Sequence, residues 1–246
     1  MAINRALTFY DRSKAVPAAS GVEINDEGLV MVQVLESGVE HAQPSLGTSA
    51  NEVILGFSSN TSYRPTSRVE QESATVPAAS TYTVQLSKVL LVSGSLRVVN
   101  TATNAALTVV TTTPSTGEVQ VNYTTGLLTF NSAQASINVY VTYRRSLTAD
   151  EIAFTVRQPA INAGTGNALG LINVIRGNGE ISTDMFDTTA DYSTATTLYA
   201  GANGLVTSVS SSHTAIPGSR MVTAPSASVT GDLRFGAMIT LAFNLA

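Results

Sequence analysis

The sequence predicts an all-β protein of sandwich- or barrel-like domains with long loops and an extended N-terminal arm. Three observations carry this. Apolar and polar residues alternate with period two in several stretches, most plainly between Glu118 and Arg145, the pattern of a strand with one buried face. Short turn signals separate these stretches at even spacing: Ser93-Gly94, Thr103-Asn104, Pro114 to Gly117 and Thr125-Gly126, as in compact sandwiches and barrels. The polar surface rests on hydroxyls, with 27 Ser and 32 Thr but only 12% charged residues, about half the usual charged share.

In chain order, residues 1–28 mix charge with Pro17 and Gly21 and are predicted to form the extended arm. Leu29 to Leu35 and Glu52 to Phe57 are the first strands. Ser37 to Asn51, rich in Gly, Ser and Pro, is expected to be a loop. Ser58 to Ser80 carries Pro65, Pro77 and the run Arg68-Val69-Glu70-Gln71-Glu72, and reads as a long exposed connection.

From Tyr82 the pattern becomes dense. Six strands are predicted: Tyr82 to Val92, Ser95 to Asn100, Ala106 to Thr111, Val119 to Thr124, Leu127 to Phe130 and Ile137 to Arg145. Between the fourth and fifth, Gly126 supplies the positive φ of a tight reversal. Ile152 to Arg157 is a further strand, although Thr148 to Glu151 also suits a short helix opening. Leu169 to Ile175 is apolar nearly throughout, and periodicity leaves strand and helix both open. Thr183 to Thr197 reads as polar loop, and Thr197 to Thr207 as a hairpin turning at Ala202-Asn203-Gly204.

The C-terminal stretch is the clearest strand, with Leu233, Phe235, Ala237, Ile239, Leu241, Phe243 and Leu245 at every second position. Such a strand must be paired, in its own sheet or with a neighbouring subunit. The expected organisation is an arm over 1–28, a discontinuous β domain over 29–81 plus 146–246, and an inserted β-sandwich module over 82–145.

Composition narrows the function classes. A formal charge of −4 offers no basic footprint for nucleic acid. The chain has no cysteine, hence no disulfide or thiolate metal site. No stretch approaches the roughly 20 apolar residues that a membrane-spanning helix needs, and the first residues lack a signal-peptide pattern. A cytoplasmic site of synthesis is expected. The two lysines, Lys14 and Lys88, stand against eleven arginines, a bias shared with protein–protein interfaces.

The motifs suited to chemistry are thin. His41 lies within the Gly/Pro/Ser loop and His213 follows a serine run, and no G-x-S-x-G elbow accompanies either. Gly164 to Gly170 is glycine-rich, but three residues separate its second and third glycines, one too many for the dinucleotide fingerprint. Asp184, Asp187 and Asp191 have no calcium-loop spacing and read as a solvated turn. Gly177-Asn178-Gly179 reads as a turn. Tyr123, Tyr140 and Tyr143 fall on strands, where packing accounts for them.

The run from Gly117 to Arg145, GEVQVNYTTGLLTFNSAQASINVYVTYRR, resembles a small β module of tailed-bacteriophage structural proteins. The likeness lies in a strand ending at Tyr123, the Thr125-Gly126 turn, the Leu128-Thr129-Phe130 return and the final Val139 to Tyr143 strand. The segment from Ala200, with AGANGLVTS, then IPGSRMVTAPSAS and a closing apolar strand, is similar to phage capsid decoration (cement) proteins.

This resemblance implies a virion structural protein that binds the outer capsid surface and stabilises the shell, with neither catalysis nor cofactor. The implied partner is the major capsid protein. A homo-oligomer, with a trimer as the expected state, is implied, and direct contact with nucleic acid or membrane is not. The expected interface comprises Leu233, Phe235, Ile239, Leu241 and Phe243 of the terminal strand, Arg64 and Arg68 of the long connection, and Tyr140, which faces away from Val139 and Val141. Three alternatives stand beside it: a tail, baseplate or spike component engaged in host attachment, an enzyme, and a non-viral adhesin or surface protein.

Overall fold

A computed structural model describes residues 3–4, 12–22, 24, 26–59, 67–148, 151, 171–226 and 237–245. The fold is all-β. Two compact units divide it, a larger one from residues 1–66 and 147–246 and a smaller one from Ser67–Ser146. The first five strands are β1 (Ile3–Asn4), β2 (Arg12–Pro17), β3 (Val30–Glu36), β4 (Val39–Pro44) and β5 (Ile54–Ser58). The smaller unit holds β6 (Ser67–Thr75), β7 (Thr83–Gln85), β8 (Arg97–Asn100), β9 (Ala105–Val110), β10 (Glu118–Asn122), β11 (Leu127–Phe130) and β12 (Asn138–Ser146). The larger unit resumes with β13 (Leu171–Thr183), β14 (Tyr199–Ala200), β15 (Val206–Thr207), β16 (Thr214–Ala215), β17 (Arg220–Ser226) and β18 (Met238–Leu245).

In the larger unit, β3 turns into β4 at Ser37-Gly38, whose positive φ values of 52° and 79° match the twist of a hairpin. Residues 39–44, expected as loop, are therefore a strand, and His41 lies on it. The apolar content of VEHAQP is too low to announce a half-buried strand. β3 also pairs with β5, and β5 with Val174 and Ile175 of β13. The first half of β13 pairs on its other side with β2, from Leu171↔Pro17 to Arg176↔Arg12. Just past β2, Ala18 bridges to Ala42 of β4, and the Ala19 amide donates to the Ala42 carbonyl at 2.9 Å. The ring β13–β5–β3–β4–β2 is thereby closed, and each stave sends apolar side chains into one cluster: Val16, Met31, Ala42, Leu55, Ile172 and Val174. Small barrels fill their interiors in this way. The expected arm thus contributes core, with Val16, Ala19 and Ile24 all buried.

β13 does not stop at the ring. From Gly177 (φ 87°) onward it exchanges partners, pairing with β18 from Gly177↔Leu245 to Thr183↔Ile239, and with β1 at Ser182 and Thr183. Gly177-Asn178-Gly179, read above as a turn, instead lies inside a strand of thirteen residues. Its glycine serves the bend between two sets of partners rather than a chain reversal. Of the apolar segment left open between strand and helix, the described residues, Leu171 to Ile175, are strand. β17 covers the other edge of β18, and Phe243 meets Phe57 with ring centroids 5.1 Å apart. In the small sheet β15–β14–β16, the hairpin turns at Ala202–Gly204, where Asn203 and Gly204 take φ of 57° and 73°. Residues 183–197, expected as polar loop, bury Met185, Phe186, Ala190 and Tyr192, with Phe186 and Tyr192 edge to face at 5.8 Å.

The smaller unit is one sheet of seven strands in the order β6–β12–β8–β9–β10–β11–β7. β10 and β11 pair Val119↔Phe130 and Val121↔Leu128, all four side chains buried. At their turn the Asn122 side-chain oxygen accepts from the Thr124 and Thr125 amides, and Gly126 takes φ 71°. A Cβ on Gly126 would lie 2.4 Å from the Lys88 carbonyl oxygen, so the turn needs glycine for close approach as well as for φ. β9 and β10 run parallel despite a short link, because they pair over three residues only and the chain has little distance to retrace.

Ser67–Thr75, expected as exposed connection, pairs along its whole length with β12. Its alternation is hidden because Arg68, Glu70 and Glu72 are cross-strand partners of Arg145, Tyr143 and Val141, whose side chains are buried. A strand that puts charges on its covered face escapes a search for apolar periodicity. Of the predicted strand Tyr82 to Val92, only Thr83–Gln85 is strand. Ile152 to Arg157 and Gly164 to Gly170 lie outside the described residues.

Candidate interaction surface

The expected interface does not assemble from the terminal strand. Ile239 and Leu241 are fully buried and Phe243 nearly so. β18 has β17 on one edge and β13 on the other, so its backbone and its side chains are both committed within the chain. These three residues are core, which corrects the sequence expectation. Leu233, Phe235 and Arg64 lie outside the described residues. Arg68 pairs with Glu70 at 3.3 Å, and the same carboxylate oxygen takes the Nε of buried Arg145 at 3.0 Å. Arg68 therefore belongs to a charge cluster of its own sheet. Tyr140 is 38% exposed, and its hydroxyl donates to Gln71 Oε1 at 2.8 Å. Partial burial raises its pKa.

The residues that sequence reasoning missed lie around the β3–β4 hairpin. Leu35 is 66% exposed and Val53 57%, with Val39 and Leu46 close behind. The Gln33 amide donates to the Val53 carbonyl at 2.8 Å, so the strands remain in step there. Leu35, two residues on, then sits diagonal to Val53 on the same face. Leu46 is tied to this region through its amide, which donates to the Glu52 carboxylate at 3.1 Å. In sequence, Leu35 closes an apolar run and reads as core; nothing local shows that the run outlasts its cover. Val89 and Leu90 are the exposed apolar pair of the smaller unit.

The polar groups flagged in the sequence serve local structure. His41 Nδ1 lies 3.0 Å from the Val39 carbonyl oxygen, and His213 Nδ1 3.0 Å from that of Val209. Glu36 accepts from the Ser20 amide and hydroxyl, both at 2.8 Å, and these bonds hold its pKa below the ordinary carboxylate value. Lys14 pairs with Glu40, which Gln33 also reaches at 3.0 Å. Asp187 Oδ1 accepts from the amide and hydroxyl of Thr189, and Asp191 Oδ1 from the Ser193 amide. Each is an Asx turn satisfying its own backbone. Among the described residues, no three His, Asp or Glu side chains converge as a metal-holding group. No helix of the described residues is long and apolar enough to cross a membrane. No family model, curated protein or solved structure matches this chain.

Proposed function

We propose that this protein is a non-catalytic virion structural component of a tailed bacteriophage, binding the outer capsid surface and stabilising the shell. The observation that carries the reading is the apolar exposure of Leu35 and Val53, diagonal neighbours on one face where β3 meets the start of β5, on a chain with only 12% charged residues and two lysines. Clustered apolar exposure is costly to leave in water and marks surfaces that become covered. The resemblance of Gly117 to Arg145 to a phage structural module supplies the class of particle.

The test is the copy number of this chain in purified particles against the major shell protein, by quantitative mass spectrometry. One copy per shell subunit, or a simple fraction of that, is expected. A few copies per particle would move the protein to the tail or a vertex, and absence from particles would end the virion reading.

A further inference from the structure

The ends of the seven-stranded sheet, β6 and β7, are joined by no backbone ladder among the described residues. Glu72 of β6 spans the gap. Its carboxylate accepts the Ser87 amide and the Ser87 hydroxyl, each at 3.2 Å, and the hydroxyl of buried Tyr143 at 2.6 Å. Burial first, and then the bond to Glu72, push the Tyr143 pKa upward, keeping its hydroxyl a donor.

Ser87 belongs to a segment, Leu86 to Val92, that crosses between two parts of the sheet. At one side the Leu86, Leu90 and Leu91 amides donate to the carbonyls of Gly126, Thr124 and Tyr123 at 3.0, 3.1 and 2.7 Å. At the other the Val92 amide donates to Arg144 and the Leu90 carbonyl accepts from Ser146, at 2.7 and 2.9 Å. Midway, Leu90 takes φ 59° with its side chain largely exposed. Bulky residues seldom enter this left-handed region, and they persist there only where surrounding bonds over-determine them.

We propose that Leu86 to Val92 is a strained strap, latched by Glu72, and that neutralising the latch releases its exposed middle, Ser87 to Leu90, from β6 without unfolding the sheet. The charged and titratable groups around the latch are Arg68 and Glu70 on β6, Tyr143 and Arg145 on β12, and Lys88 on the strap. None of the bonds that position the strap comes from an apolar core contact of Val89 or Leu90, whose side chains face solvent. Leu86 and Leu91 pin the two ends of the strap in the core, whereas Ser87 to Leu90 between them are exposed, so releasing that middle stretch uncovers little apolar surface and stays a local event.

Amide hydrogen exchange on the full chain tests this. Glu72→Gln is expected to leave the amides of Leu86, Leu91 and Val92 and the central amides of β12 and β10 unchanged, and to speed exchange at Ser87 and Leu90 by about tenfold. Leu90→Asn, which tolerates the left-handed conformation, is expected to slow exchange at the same amides. Unchanged strap exchange in Glu72→Gln overturns the proposal, as does an equal rise across β10 and β12, which would mean global loss of stability. Should Glu72→Gln fail to fold, Leu90→Asn decides: slower strap exchange supports the strap, and unchanged or faster exchange overturns it.

Discussion

The larger unit closes its ring with backbone. β2 lies along β13, Ala18 reaches Ala42, and no side chain is needed to complete the circuit. The smaller unit leaves its two edge strands without a ladder and relies on a carboxylate and a crossing segment. Backbone closure demands that main chains approach closely, so its weak points are positions where a Cβ does not fit. Side-chain closure demands that charged groups be held near an apolar interior, so its weak points are ions that lose a partner. The same all-β composition thus yields two units with different sensitivities to substitution.

The largest expected effect breaks the backbone-closed ring. A Cβ at Gly56, whose φ is 151°, would lie 2.0 Å from the Ile175 carbonyl oxygen on the neighbouring strand. Gly56→Ala must then separate β5 from β13, and a loss of roughly 4 kcal/mol or more is expected. Denaturant unfolding measures it, and a loss below about 1 kcal/mol would show that the ring yields at this point.

A smaller effect is expected from the side-chain-closed unit. Arg145→Ala removes a buried guanidinium and leaves Glu70 with Arg68 alone, at a cost of about 3 kcal/mol. Arg145→Met, which keeps the volume and discards the charge, is expected to lose less by the same assay. Equal losses would assign the effect to the missing guanidinium charge rather than to packing.

The smallest expected effect lies at the surface of the ring. The bond from Lys14 holds the Glu40 carboxyl below its ordinary value of 4.5. A depressed carboxyl contributes stability that is fully present above its unfolded value and lost as pH falls through the folded one. Lys14→Met is therefore expected to cost at most about 1 kcal/mol at neutral pH. The difference from wild type should vanish in acid below that range. Melting curves at neutral and acid pH check the sign, and a difference that grows on acidification would refute it.

The candidate surface was legible only in part. Tyr140 was placed by its phase against Val139 and Val141, and it is exposed. Ile239, Leu241 and Phe243 carry the strongest alternation in the chain, and that same regularity misdirects: an apolar face buried by a neighbouring subunit and one buried by the chain's own core read alike. Leu35 and Val53 are the converse, apolar residues in strand-like runs whose exposure depends on where β5 begins and β4 turns away.

By itself the sequence determined what near neighbours control. The all-β class, the β10–β11 hairpin and its Thr125-Gly126 turn, and the turn at Ala202–Gly204 follow from side-chain period and from residues that accept positive φ. The tertiary structure alone decided that β13 serves two sets of partners, that β2 is a stave rather than an arm, that β18 is internal, and that β6 carries its charges on the covered face. Hydrogen-bonded pairing between strands far apart in the chain leaves no local periodic trace, because period two reports which face is covered and not which strand or subunit covers it.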